Sequence, residues 1–110
     1  MIAVYKFWHE IIRHFPKTSR YTLGGKIDSL FIELIESAYS AGYLAKTEKL
    51  PAINKAIGRL NLLNFFLQVA WEIKSLDNGK YQNLSLPLNE IGRMLGGWRN
   101  KIIKETSAQR

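Results

Sequence analysis

The two histidines of the chain, His9 and His14, are the residues whose chemistry comes closest to metal catalysis. With Glu10 they form the run HEIIRH, which looks like the zinc-binding helix of a metalloprotease. That helix needs its histidines four residues apart, so that both imidazoles reach one metal ion. His9 and His14 are five residues apart, which separates them by about 140° around a helix of 3.6 residues per turn. We therefore predict no metal site.

Two glycine pairs, Gly24-Gly25 and Gly96-Gly97, could be mistaken for phosphate cradles. A phosphate loop needs the pattern Gly-x-x-x-x-Gly-Lys-Ser/Thr after a strand, and neither pair has that context. No Ser-His-Asp or Cys-His set with supporting motifs occurs, and the chain has no cysteine. We therefore expect a protein that is not an enzyme and that carries no cofactor.

Basic residues are the strongest functional feature of the composition. Sixteen Lys and Arg face nine Asp and Glu, which gives a net charge of +7. An excess of this size predicts a polyanionic partner such as RNA or DNA, although a basic pI without a specific partner is the alternative. We predict that one set of cations around the first inter-helix loop faces phosphates, and that a second set on the last helix assists. The first set is Arg13, Lys17, Arg20 and Lys26, and the second is Arg93, Arg99 and Lys101.

Some of these residues have a second interpretation. Arg93 can form a structural ion pair with Glu90 on the same helix, and we regard this as equally good. Aromatic residues near the basic groups can stack on unpaired bases, or they can fill the core or a subunit contact, which we prefer for Trp98. The aromatic residues concerned are Tyr21, Tyr39, Tyr43 and Trp98.

The segment from Leu88 to Trp98 has an apolar stripe at the spacing of a buried helix face, together with three glycines. Glycine inside a helix costs roughly 0.5–1 kcal/mol relative to alanine, so three of them need a reason. Close approach of another backbone, within the fold or between subunits, would explain Gly92, Gly96 and Gly97. Trp98 would anchor that contact.

Apolar residues recur at helical spacing in four segments joined by short polar connections. The first runs from Val4 to Phe15, the second from Ser19 or Thr22 to about Tyr43, and the third from Thr47–Pro51 to near Ser75; the fourth begins between Tyr81 and Pro87 and ends at about Lys104. This pattern predicts an all-α, up-down-up-down four-helix bundle, in which the first and third loops share an end. We expect one domain, residues 1–110, with a frayed tail from about 105 to 110.

The chain lacks the features of secretion or membrane insertion. Its start has no basic residues followed by a long apolar run, as a signal peptide would. The richest apolar window, Leu60 to Trp71, is shorter than the roughly 20 residues that span a bilayer. We therefore predict a cytoplasmic protein without membrane contact.

Two separated motifs resemble one known family. The run FPKTSRYTLG, Phe15 to Gly24, followed by Ile27, resembles the junction of the first two helices in the accessory variability determinant (Avd) proteins of diversity-generating retroelements. The run EIGRMLGGW, Glu90 to Trp98, resembles the final helix of that family. The resemblance covers about residues 5 to 101. The family is a branch of four-helix-bundle proteins that include those encoded in intervening sequences of bacterial 23S ribosomal RNA genes.

The resemblance implies a homopentameric barrel of bundles without a catalytic site. Its expected partners are template RNA or cDNA and the reverse transcriptase, in mutagenic retrohoming. The alternative is a structural oligomeric interaction module of the 23S intervening-sequence type. Pro87 departs from the family, which usually continues the helix there. Because proline in a helix interior costs about 3 kcal/mol, we expect a later start, capped by Ser85, or a kink.

Overall fold

A computed structural model describes residues 1–108 of the chain, and their regular structure is α-helical. The helices are α1 (Ile2–Ile12), α2 (Lys17–Arg20), α3 (Leu23–Ala41), α4 (Lys46–Glu72) and α5 (Asn78–Ala108). α2 is a single turn, and the other four pack into a rod of 53 × 21 × 20 Å. The predicted all-α fold of four packed helices is therefore confirmed. Within this part of the chain, no helix is both long and apolar enough to cross a membrane.

Successive long helices run antiparallel, as the contacts at both ends of the α4–α5 pair illustrate. At the α4–α5 loop, the rings of Trp71 and Tyr81 stack with centroids 5.1 Å apart. At the other end of the same pair, Lys46 at the start of α4 lies 3.8 Å from Glu105 near the end of α5. The helices therefore alternate in direction, and the first and third loops lie at one end of the bundle.

The core is centred on aromatic residues that join α1 to α3. Trp8 stacks on Phe31 with ring centroids 5.8 Å apart and meets Phe15 edge-on at 5.4 Å. The Asp28 carboxylate accepts hydrogen bonds from the Tyr5 hydroxyl (2.9 Å) and the Trp8 indole (3.1 Å), which satisfies the buried indole. Burial, followed by the hydrogen bond and charge of Asp28, raises the pKa of the Tyr5 phenol above its ordinary value.

The predicted start of the last helix is wrong. α5 begins at Asn78 and continues through Pro87, so Ser85 is not a cap. Asp77 is the N-cap instead, because its Oδ1 accepts the backbone N–H of Lys80 at 2.8 Å. The helix tolerates Pro87 since Leu84 and Leu88 on either side are fully buried. Each such leucine contributes about 1.5–3 kcal/mol, which offsets the roughly 3 kcal/mol cost of the proline.

The last helix also ends later than predicted. α5 extends past Lys104 to Ala108, so residues 105–108 of the expected frayed tail are helical. Glu105 is held by Lys46, and the Thr106 hydroxyl donates to the carbonyl of Ile102 at 2.8 Å. The last two residues of the predicted tail, 109–110, lie outside the described residues.

Candidate nucleic-acid interface

One end of the bundle collects cations from two loops that are distant in sequence. Ser19 in α2 and Ser75 after α4 bring these loops together, because their hydroxyl oxygens are 3.1 Å apart. The first predicted set of basic residues therefore lies beside the segment that joins α4 to α5, which adds two lysines. We call this surface the cationic end, and it consists of Arg13, Lys17, Arg20, Lys26, Lys74 and Lys80.

Most cations of this surface point into solvent. Arg13, Lys17, Lys26 and Lys74 are exposed, and none of them forms an ion pair with another residue of the described chain. Lys80 differs because its ammonium lies 3.9 Å from the Asp77 carboxylate. Four exposed cations without acidic partners are therefore available for phosphate contacts.

Arg20 has a structural part at the cationic end. One guanidinium nitrogen, Nη2, donates to the carbonyl oxygens of Arg13 (2.9 Å) and Phe15 (3.2 Å), so the side chain closes the C-terminal end of α1. A cation at this position also interacts favourably with the helix dipole. The Nε atom is buried without a protein partner. Arg20 thus fixes the loop that carries its neighbours and contributes charge, but its guanidinium is already engaged.

Tyr21 lies next to Arg20 and is 84% exposed. An aromatic ring this open contributes little to the core of the bundle. Among exposed cations, it is suited to stack on an unpaired base whose phosphates contact the neighbouring lysines. The cationic end therefore presents both kinds of side chain, cationic and aromatic, that proteins use to bind nucleic-acid strands.

Lys74 and Lys80 are missing from the sequence-based prediction. The antiparallel order of helices predicts that the first and third loops meet, and this geometry could have identified both lysines. Lys74 has a further property that the sequence does not reveal, because its backbone is left-handed with φ of 66°. Glycine is the usual residue there, so a lysine adds charge at some cost in backbone strain.

The second predicted set of basic residues does not form one cluster. At about 100° per residue, Arg93 and Arg99 are separated by about 120° around α5, and Arg99 and Lys101 by about 160°. Arg93 pairs with Glu90, as the alternative interpretation proposed. Arg99 is half-buried with an unpartnered Nε, whereas Lys101 is exposed. These three residues therefore do not present one surface to a phosphate backbone.

The three glycines that the sequence predicts at a close helix contact, Gly92, Gly96 and Gly97, have different surroundings. A Cβ added at Gly92 would lie 3.3 Å from Leu60 Cδ2, so Gly92 permits the close packing of α5 on α4. Added Cβ atoms at Gly96 and Gly97 would meet no atom within 4 Å. Trp98 is half-buried against the core. Close approach within the fold thus accounts for Gly92, whereas a subunit contact at Gly96 and Gly97 stays a prediction.

Comparison with known proteins agrees with the motif-based assignment. The family model described as bAvd-like matches residues 2–102, which includes both motifs and every residue of the cationic end. No curated protein and no solved structure gave a significant match. The predicted resemblance to Avd proteins is confirmed, and placement with the 23S intervening-sequence proteins stays a prediction. The chain belongs to the bAvd-like family.

Proposed function

We propose that this protein is a non-catalytic accessory subunit of a diversity-generating retroelement. In this function it binds template RNA or cDNA together with the reverse transcriptase, as a homopentamer, during mutagenic retrohoming. Membership of the bAvd-like family supports the accessory role. The observation that carries nucleic-acid binding is the cationic end, where two loops place exposed, unpaired cations side by side.

The physical basis of this binding is the release of counterions from phosphates. Each lysine or arginine that neutralises a phosphate frees condensed ions, so affinity falls steeply as salt rises. Arg13, Lys17 and Lys26 lie on one end of the subunit and have no acidic partner in residues 1–108. Five copies around a symmetry axis would repeat this surface and strengthen its field.

The decisive experiment compares two triple variants with the same loss of charge. The test variant carries Arg13→Gln, Lys17→Gln and Lys26→Gln, and leaves Arg20 in place because it holds the loop. The control carries Lys6→Gln, Lys55→Gln and Lys104→Gln at exposed positions elsewhere. Binding to a structured RNA is titrated with salt. We expect the test variant to lower the slope of log affinity against log salt by about 2 to 3, or about 0.7–0.9 per lost phosphate contact.

The outcomes separate the proposed function from its alternative. An equal effect of the two triples would mean that net charge, not the cationic end, governs affinity. If the protein binds neither RNA nor DNA, and its affinity for a protein partner does not change with salt, a structural interaction module of the 23S intervening-sequence type would be favoured. Light scattering on the same samples measures the subunit number, and a pull-down with the purified reverse transcriptase tests that partner.

A further inference from the structure

The end of the bundle opposite the cationic end carries a pair of exposed tyrosines. Tyr39, in the last turn of α3, is 67% exposed, and Tyr43, just after that helix, is 78% exposed. Their ring centroids are 5.1 Å apart and the rings are tilted by 51°. Because the rings are not stacked flat on each other, their faces remain open to a third planar group.

The loop that carries these tyrosines is held in place. The Lys49 ammonium donates to the carbonyl oxygens of Ala41 (2.9 Å) and Gly42 (3.2 Å) and so closes the end of α3. The backbone N–H of Tyr43 donates to the carbonyl of Ser40 at 3.0 Å, which continues the helical turn. The two rings are therefore presented in a defined arrangement, which lowers the entropic cost of binding.

An apolar groove lies on one side of the pair, and the ammonium of Lys49 lies at the same loop. A groove of about 720 Å³ is lined by Tyr39, Met94 and Trp98 among others, and so lies beside one ring of the pair. Lys49 lies 5.8 Å from the centroid of the Trp98 ring. Lys101 is exposed and follows Trp98 by three residues, which places it about 60° away around α5.

We propose that Tyr39 and Tyr43 stack on unpaired bases and form a second nucleic-acid contact that is selective for single strands. The inference rests on the proposed nucleic-acid function and adds the class of ligand, a single strand, at this end. Open aromatic faces beside a lysine match what single-strand binding needs, since bases stack on the rings while the positive charge of Lys49 attracts the phosphates. A duplex keeps its bases stacked internally and gains little from these rings.

The test uses Tyr39→Ala combined with Tyr43→Ala in the full chain. Affinity is measured by fluorescence anisotropy for an unstructured 20-nucleotide RNA and for a duplex of the same length. We expect single-strand affinity to fall by about fivefold to thirtyfold, as loss of aromatic stacking does, and duplex affinity to change by less than about twofold. The double variant Tyr39→Phe with Tyr43→Phe keeps both rings and retains affinity.

A matched control is Phe65→Ala, which removes a ring that is 55% exposed on another surface and leaves single-strand affinity unchanged. Equal losses for single strand and duplex would overturn the inference, as would no loss in the alanine double variant. A fall in oligomeric mass in that variant would also overturn it, because the tyrosines would then form a subunit contact. If the unmodified protein binds neither RNA, the proposed function itself fails. If it binds but the tyrosines do not matter, only this inference fails.

Discussion

At the scale of single residues, Lys74 connects backbone geometry with the proposed function. It follows the last turn of α4, where Ser75 N–H donates to Ala70 O at 2.8 Å and Lys74 N–H donates to Trp71 O at 3.1 Å. This hydrogen-bond pattern requires a left-handed residue, for which a side chain costs about 1 kcal/mol. A lysine at a position that glycine would occupy without strain is consistent with a requirement for charge at the cationic end.

Lys74→Gly should therefore separate stability from binding. Lys74→Ala removes the same charge but keeps a Cβ. We expect the free energy of unfolding of the glycine variant to be about 1 kcal/mol higher than that of the alanine variant. Both variants should bind RNA more weakly, with a salt slope lower by about 0.7–0.9. Urea denaturation and salt titration measure the two effects. If both variants bind RNA as tightly as the unmodified protein, Lys74 is not part of the RNA-binding surface.

At the scale of helices, apolar periodicity predicted how many helices exist better than where they begin. The run Asp77-Asn78-Gly79 is a strong turn signal, but Asp77 caps α5 there. Since one short sequence can serve as a turn or as a helix start, only the following turn of helix decides between them. The sequence also did not predict the one-turn helix α2 or the hydrogen bonds of Arg20, because both depend on how the loop folds back on α1.

The corrected helix start makes a matched pair of alanine variants informative. Asp77→Ala removes the side-chain bond to the Lys80 N–H, and we expect it to lower the free energy of unfolding by about 1 kcal/mol. Ser85→Ala lies inside the helix, where alanine is favoured, and should cost nothing or stabilise slightly. Thermal or urea denaturation of both variants provides the measurement. A larger loss of stability for Ser85→Ala than for Asp77→Ala would instead indicate that α5 starts at Ser85.

At the scale of the whole molecule, alternation of helix direction explains which parts of the site were predictable. Arg13, Lys17 and Lys26 could be grouped because they are close in sequence, and the antiparallel order brought Lys74 to them. Arg93, Arg99 and Lys101 are also close in sequence, but they point in different directions around α5. Residues that are close in sequence therefore shared one surface at a loop. Within a helix, closeness in sequence did not predict a shared surface.

We expect Gly96 and Gly97 to have their effect at the level of the assembly. Gly96 and Gly97 have open space around an added Cβ, so Gly96→Gln with Gly97→Gln should not disturb the folded subunit. Glutamine favours helix over glycine, and we expect the subunit to gain a few tenths of a kcal/mol per substitution. If other subunits pack against this face, the long side chains will separate them and lower the mass measured by light scattering. Gly25→Gln in α3, which also adds a side chain in open space, is the control that should leave the mass unchanged. An unchanged mass in the double variant would place the subunit contact elsewhere on the bundle.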